Sequence, residues 1–127
     1  MSIQRIGREQ RLRLKSDFEN IRDQGKSRSN TFLVVRTVPN GLKHSRYGFI
    51  VSKRTSPLAV NRNRIKRILR DVISRIPLRE ERDILFIARK SALNATHAEL
   101  LNATWHLCNK LELLHADGRE TTTSKLR

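Results

Sequence analysis

An α+β fold, with helices laid on a sheet as a two-layer sandwich, is what this sequence predicts. The pattern of apolar spacing runs helix, strands, helix, strand, helix along the chain. Between residues 65 and 76, Ile65, Ile68, Leu69, Val72, Ile73 and Ile76 recur at three- and four-residue steps. That gives a helix with one apolar stripe, which needs a sheet to cover it. At 127 residues the chain supports one domain and one modest core. Residues 1–115 are read as that domain and residues 116–127 as a tail.

Each element has its own local reason. Residues 1–13 are polar and basic and are expected to be poorly ordered or pinned only by Leu12 and Leu14. Ser16 followed by Glu19 makes a capping box, so a short helix is expected from Asp17 to about Gln24. Gly25 fits a left-handed position just after it. Thr31 to Val38 (TFLVVRTV) is rich in β-branched residues and stops at the turn Pro39-Asn40-Gly41. Ser45 to Lys53 alternates as a second strand, and the two read as an antiparallel pair joined by a loop. Ser56 as cap and Pro57 at the first position start the central helix, which Pro77 ends near Ile76. Asp83 to Arg89 (DILFIAR) is nearly continuous in apolar residues, as suits a strand covered on both faces. A last helix is expected from Thr96 or His97 to Leu114, with Leu100, Leu107, Leu111 and Leu114 on its apolar side. The remainder, DGRETTTSKLR, lacks an apolar core and is expected to be disordered.

Charge narrows the function. Lys plus Arg number 27 against 12 Asp plus Glu, for a formal net charge of +15. An excess of that size points to a polyanion. The longest unbroken apolar run, Ile84 to Ala88, is far short of the roughly 20 residues a membrane span needs. No apolar signal segment opens the sequence, and a lone cysteine, Cys108, suits a reducing cytoplasm. From Lys53 to Arg70 the chain carries seven basic side chains and no acidic one. On a helical wheel Arg62, Asn63, Lys66, Arg67 and Arg70 fall along one flank of the apolar stripe, with Arg64 and Arg75 on the other side. Like charges this close repel unless an anion joins them, so a nucleic-acid partner explains the flank better than solubility alone.

Catalytic machinery is missing. A protein nuclease needs clustered carboxylates for metal ions or a histidine acid/base pair. Here Asp17, Glu19 and Asp23 lie on the first helix and Glu80, Glu81 and Asp83 on a connection, where capping or solvation is expected of each. His97, His106 and His115 are nine residues apart, so successive ones point to opposite sides of a helix and cannot share a ligand, and all of them, with His44, read as surface or edge residues. Cys108 reads as core and Trp105 as core or edge. No Gly-rich phosphate loop or paired-cysteine metal spacing is present. Aromatic residues make up only 5%, so binding by phosphate contact and shape is expected rather than base stacking on a sheet.

The ordered combination Gly48-Phe49-Ile50-Val51-Ser52-Lys53-Arg54, Ala59-Val60 and Arg62-Asn63-Arg64-Ile65-Lys66-Arg67-Ile68-Leu69-Arg70 resembles the protein subunit of bacterial ribonuclease P. Arg11-Leu12, Asp17-Phe18 and the Asp83–Lys90 strand extend the likeness over roughly residues 9 to 115. The resemblance implies the accessory protein of a ribozyme, whose RNA removes the 5′ leader of precursor tRNA by magnesium-dependent hydrolysis. The protein would supply affinity for substrate and metal, and magnesium would be held mainly by the RNA. It implies a ribosomal-protein-like fold with a four-stranded mixed sheet and a left-handed crossover, so a short fourth strand is expected near Ser27–Ser29. By position, the RNA-binding surface is Lys53, Arg54, Arg62, Asn63, Arg64, Lys66, Arg67 and Arg70. The leader would lie in a cleft between the first helix and the sheet, at Phe18, Arg22 and Val35. Arg22 and Val35 stand where some members place aromatic residues, so this cleft is expected to hold the leader more by charge than by stacking. The implied partners are the catalytic RNA and precursor tRNA, with no obligate protein partner and no membrane.

Two other readings compete. A ribosomal or ribosome-assembly protein would explain the charge and the fold but not the ordered signature. A protein-only nuclease is opposed by the scattered carboxylates.

Overall fold

The computed structural model describes residues 10–115, so the expectations for residues 1–9 and the tail lie outside the described part; of the two expected pins, Leu12 is buried and Leu14 is exposed. Its most apolar strand, Arg82–Ala88, occupies an inner position of a four-stranded sheet. The elements in chain order are α1 (Lys15–Gln24), β1 (Lys26–Ser29), β2 (Leu33–Pro39), β3 (Arg46–Ile50), α2 (Ala59–Ser74), β4 (Arg82–Ala88) and α3 (His97–Lys110). A 3-10 turn at Lys90–Asn94 precedes α3. Three helices and a mixed sheet in the order β1-β2-β4-β3 make the fold α+β. The short fourth strand stands where it was expected.

One pairing differs from expectation. The strands β2 and β3 do not pair, because β4 lies between them, antiparallel to β2 (Val35↔Phe86) and parallel to β3 (Phe49↔Phe86). The physical reason is in β4 itself. Ile84, Phe86 and Ala88 are buried on one face, and Leu85, with half-buried Ile87, on the other. A strand apolar on both faces gains most from an inner slot, where both of its edges are hydrogen-bonded and no backbone group is orphaned. The Asn40 side chain steers the preceding loop there, donating to His44 O (3.1 Å) and to Asp83 Oδ1 (3.0 Å).

Alternation along β2 sorts the two faces. Leu33, Val35 and Thr37 point into the main core, with Ile65, Leu69, Val72 and Ile73 of α2 and Leu100, Leu107 and Cys108 of α3. Val38 points the other way, to a smaller cluster with Leu12, Leu85 and Ile21 of α1. So α2 and α3 cover one face fully, while α1 covers the other in part. That incomplete cover leaves a cleft.

Helix ends depart from the sequence expectation in instructive ways. The α1 helix starts at Lys15 after Leu14 with no side-chain cap, because Asp17 N and Phe18 N already bond Leu14 O. Ser16 therefore sits inside the first turn and makes no capping box. Thr96 and Glu99 form one instead at α3, each side chain accepting from the other's backbone N–H. The α2 helix begins two residues later than expected. Thr55 and Ser56 fold back on Ser52 O, and Thr55 Oγ1 donates to Ala88 O, so both residues anchor a turn. At Gly25 the backbone is extended (φ −77°), not left-handed. Glycine is needed there because a Cβ would collide with the Ile21 carbonyl. The α3 helix stops at Lys110, and Leu113 and Leu114 tuck back into the core beyond it, with Leu114 bridged to Leu78.

Candidate nucleic-acid interface

The basic stretch folds as a turn followed by one flank of α2. Lys53 and Arg54 are exposed on the turn, and Asn63, Arg67 and Arg70 are exposed on the helix, with Lys66 half-buried beside them. Two arginines are tied differently. Arg62 Nη1 donates to the carbonyls of Ser56 and Pro57 (2.9 Å each), closing the turn onto the helix. Arg64 Nη2 donates to Leu93 O (3.1 Å), so it braces the 3-10 turn on the far side of α2 and does not join the flank. The flank keeps its charge because the one carboxylate on α2 is used elsewhere. Asp71 accepts from Arg75 Nε (2.9 Å) and contacts His97 Nε2 (2.7 Å). The Arg75 guanidinium first, and His97 second, hold its carboxyl below the usual range. Here His97 has a structural partner that its sequence position did not suggest.

The flank borders β3, whose outer edge carries a bridge from Arg11 to Tyr47, with Leu12 N donating to Tyr47 O (2.9 Å). The Arg70 guanidinium lies 5.5 Å from the Phe49 ring centroid, and Phe49 stacks on Phe86 at 5.5 Å. Lys66 and Arg70 share a small groove of about 140 Å³ with Arg11, Gly48 and Phe18. Leu58 and Val60, at the start of α2, expose apolar side chains next to the charges.

On the α1 face lies a second, larger hollow of about 360 Å³. Phe18, Ile50, Leu85 and Ile87 give it an apolar floor, and Lys15, Arg22 and Arg36 ring it with charge against one carboxylate, Glu19. Phe18 lines both hollows, so they adjoin. It packs over Gly48, where a Cβ would come within 3.1 Å of Phe18, Leu12 and Leu85. Of the three residues expected in this cleft, Phe18 and Arg22 are there and Val35 is not. Val35 is fully buried on the opposite face, because its period-two neighbours Leu33 and Thr37 fix it to the main core. Arg36, one residue on, takes the place: its Nη2 donates to Arg22 O (2.6 Å) and its Nε is buried with no hydrogen-bond partner among the described residues. The alternation Leu33, Val35, Thr37 was the signal that could have found it.

Asp17 and Asp83, expected to cap or be solvated, instead converge on Arg46. Arg46 donates to Asp83 from Nε (2.9 Å) and Nη2 (2.7 Å), and to Asp17 at 3.3 Å. Bonding to Asp83, above all, raises the guanidinium pKa further. This pins α1 to β3 and β4 and so sets the floor and wall of the cleft. With both carboxylates occupied, they are unsuited to hold a metal ion. Among the described residues no three His, Cys, Asp or Glu side chains form a metal-binding group.

A family model described as Ribonuclease P matches residues 6–112. The chain belongs to the ribonuclease P protein family. A ribonuclease P protein component from Dehalococcoides mccartyi is 38% identical over 115 residues, covering 91% of this chain and 94% of that one. One from Alkaliphilus oremlandii is 32% identical over 108 residues, 84% of this chain and 94% of that one. Among solved structures, the RNase P protein of Staphylococcus aureus superposes with a TM-score of 0.75 at 31% identity, covering 84% of this chain and 98% of that one. The Thermotoga maritima protein gives 0.72 at 30% identity, over 79% and 96%. Family membership makes this chain the protein component of an endoribonuclease of tRNA 5′ maturation, and an RNA subunit its partner. The ribosomal-protein and protein-only readings are thereby set aside.

Proposed function

We propose that the chain serves its ribonucleoprotein by holding precursor tRNA through the 5′ leader, with the RNA subunit seated on the α2 flank. The observation that carries this is the adjacency of the two hollows through Phe18, beside an α2 flank whose one acid is already paired. A single strand laid on Phe18, Ile50 and Ile87 would present its phosphates to Arg22, Arg36 and Lys15. Aromatic stacking is limited there to Phe18, so charge supplies most of the affinity and little of the sequence preference. Magnesium would be held mainly by the RNA in this reading. Leader binding would raise metal affinity indirectly, by positioning the cleavage site. The single buried thiol suits a cytoplasmic setting.

Reconstitution tests it. Protein and RNA subunit together should bind leader-bearing tRNA more tightly than mature tRNA. With five or so single-stranded phosphates neutralised, that advantage should fall with log salt at a slope of about −3 to −4. An equal affinity for both tRNAs, or a flat salt response, overturns the proposal.

A further inference from the structure

At the sheet edge farthest from α2, β1 is four residues long and exposed throughout, with no strand beyond it among the described residues. Its register with β2 places Lys26 opposite Thr37 and Arg28 opposite Val35, so these two cations face the α3 side of the sheet. There they meet Lys110, and together with Ser27, Leu111 and Glu112 they line a groove of about 430 Å³. Among the described residues Lys26, Arg28 and Lys110 have no salt-bridge partner. One carboxylate, Glu112, faces three cations, so the groove is positive. The C-terminal carbonyls of α3, which would otherwise repel an anion, are partly satisfied: Leu107, Asn109 and Cys108 accept from Leu111, Glu112 and Leu113.

This groove lies around the β1 edge from the leader cleft, on the opposite face of the sheet. Ser27, on its lining, is the register partner of Arg36, which lines the cleft. Neighbouring strands are about 4.8 Å apart, so a strand of RNA leaving the cleft at Arg36 crosses only β1 to reach Arg28 and Lys110. Four exposed residues with small serines at Ser27 and Ser29 put little in its way.

We propose that the groove between β1 and the end of α3 is a distal phosphate site, taken by the part of a longer 5′ leader that extends beyond the cleft. It rests on the leader reading given above. The occupant is a single-stranded phosphodiester, because the site is open and cationic and only β1 separates it from the cleft, while Leu111 alone gives it an apolar side chain, too little floor for a protein partner.

The test uses holoenzyme reconstituted with the RNA subunit and a series of precursor tRNAs whose leaders grow one nucleotide at a time. Wild type should gain affinity in two stages, the second as the leader outgrows the cleft. The triple variant Lys26→Gln/Arg28→Gln/Lys110→Gln, all at exposed positions, should match wild type on short leaders and mature tRNA but lose the second stage. Its salt slope on long leaders should be shallower by about 2, at roughly 0.7 per single-stranded phosphate contact. Glu112→Gln should shift affinity the opposite way, for long leaders only. A triple variant equal to wild type at every length overturns the proposal and leaves the cleft reading intact. Equal loss at every length, mature tRNA included, assigns the groove to the RNA subunit or the tRNA body instead. If wild type itself ignores the leader, both readings fail.

Discussion

Arg46 is the residue on which the cleft depends most. Asp83, its tighter partner, has a side chain only 4% exposed and is held bidentately at 2.7 and 2.9 Å. Arg46→Met keeps the unbranched apolar stem of the side chain and removes its charge and its donors. Asp83 would then be a buried carboxylate supported only by the Asn40 amide at 3.0 Å. Losing one partner of such a pair costs on the order of 3–5 kcal/mol, mostly the desolvation of the charge left behind. The Asp17 contact is longer, at 3.3 Å, and more exposed, so it adds about 1 kcal/mol or less. A loss of about 4 kcal/mol is therefore expected from urea melts. Arg46→Met/Asp83→Asn should recover much of it, because the uncompensated charge is gone, giving a coupling of about 2 kcal/mol or more. The recovered double variant should still discriminate poorly between precursor and mature tRNA, since α1 has lost its anchor to β3 and β4. Additive losses in the cycle, or full discrimination by the double variant, would refute the role given to Arg46.

Along α2, Arg67→Ala should fold normally and assemble weakly with the RNA subunit, most visibly at low magnesium, whereas Leu69→Ala should cost roughly 2–5 kcal/mol and keep its RNA affinity while folded. Leu69 is the sharper control because Ile68 proves to be only half-buried at the edge of the stripe; assembly of Arg67→Ala at wild-type affinity would remove the flank from the interface. Phe18→Leu, which keeps an apolar body over Gly48, should weaken precursor binding by roughly 1–3 kcal/mol with little change for mature tRNA; a titration of both tRNAs decides it. Burial pushes the Cys108 thiol and the Tyr47 hydroxyl up to about 12. The unfolded chain releases those protons from about pH 8.5 and 10, so it binds fewer protons than the native state and stability falls as pH rises. The fall should approach about 1.4 kcal/mol per pH unit for each group, and Cys108→Ala should flatten its first part in melts between pH 8 and 10.

The sequence by itself determined the helices, the most apolar strand and the charge. An apolar stripe at helical steps, a run apolar on both faces, and a carboxylate-free basic segment are local patterns, each written in consecutive residues. So the family likeness and the flank Asn63, Lys66, Arg67 and Arg70 were legible, while Phe18 and Arg22 were assigned to a cleft only through that likeness. Tertiary structure decided what depends on which residues meet. It placed β4 between β2 and β3, because burial on both of its faces outweighs the short connection that suggested a hairpin. It turned Val35 into the core and brought Arg36 to the cleft, since which face of a strand is buried is set by what packs there. It drew Arg46 together with Asp17 and Asp83, 29 and 37 positions distant in the chain, a pairing no spacing rule encodes. And it used Arg64 as a brace rather than a contact, because a side chain's partner is fixed by the neighbouring element, here the turn at Leu93.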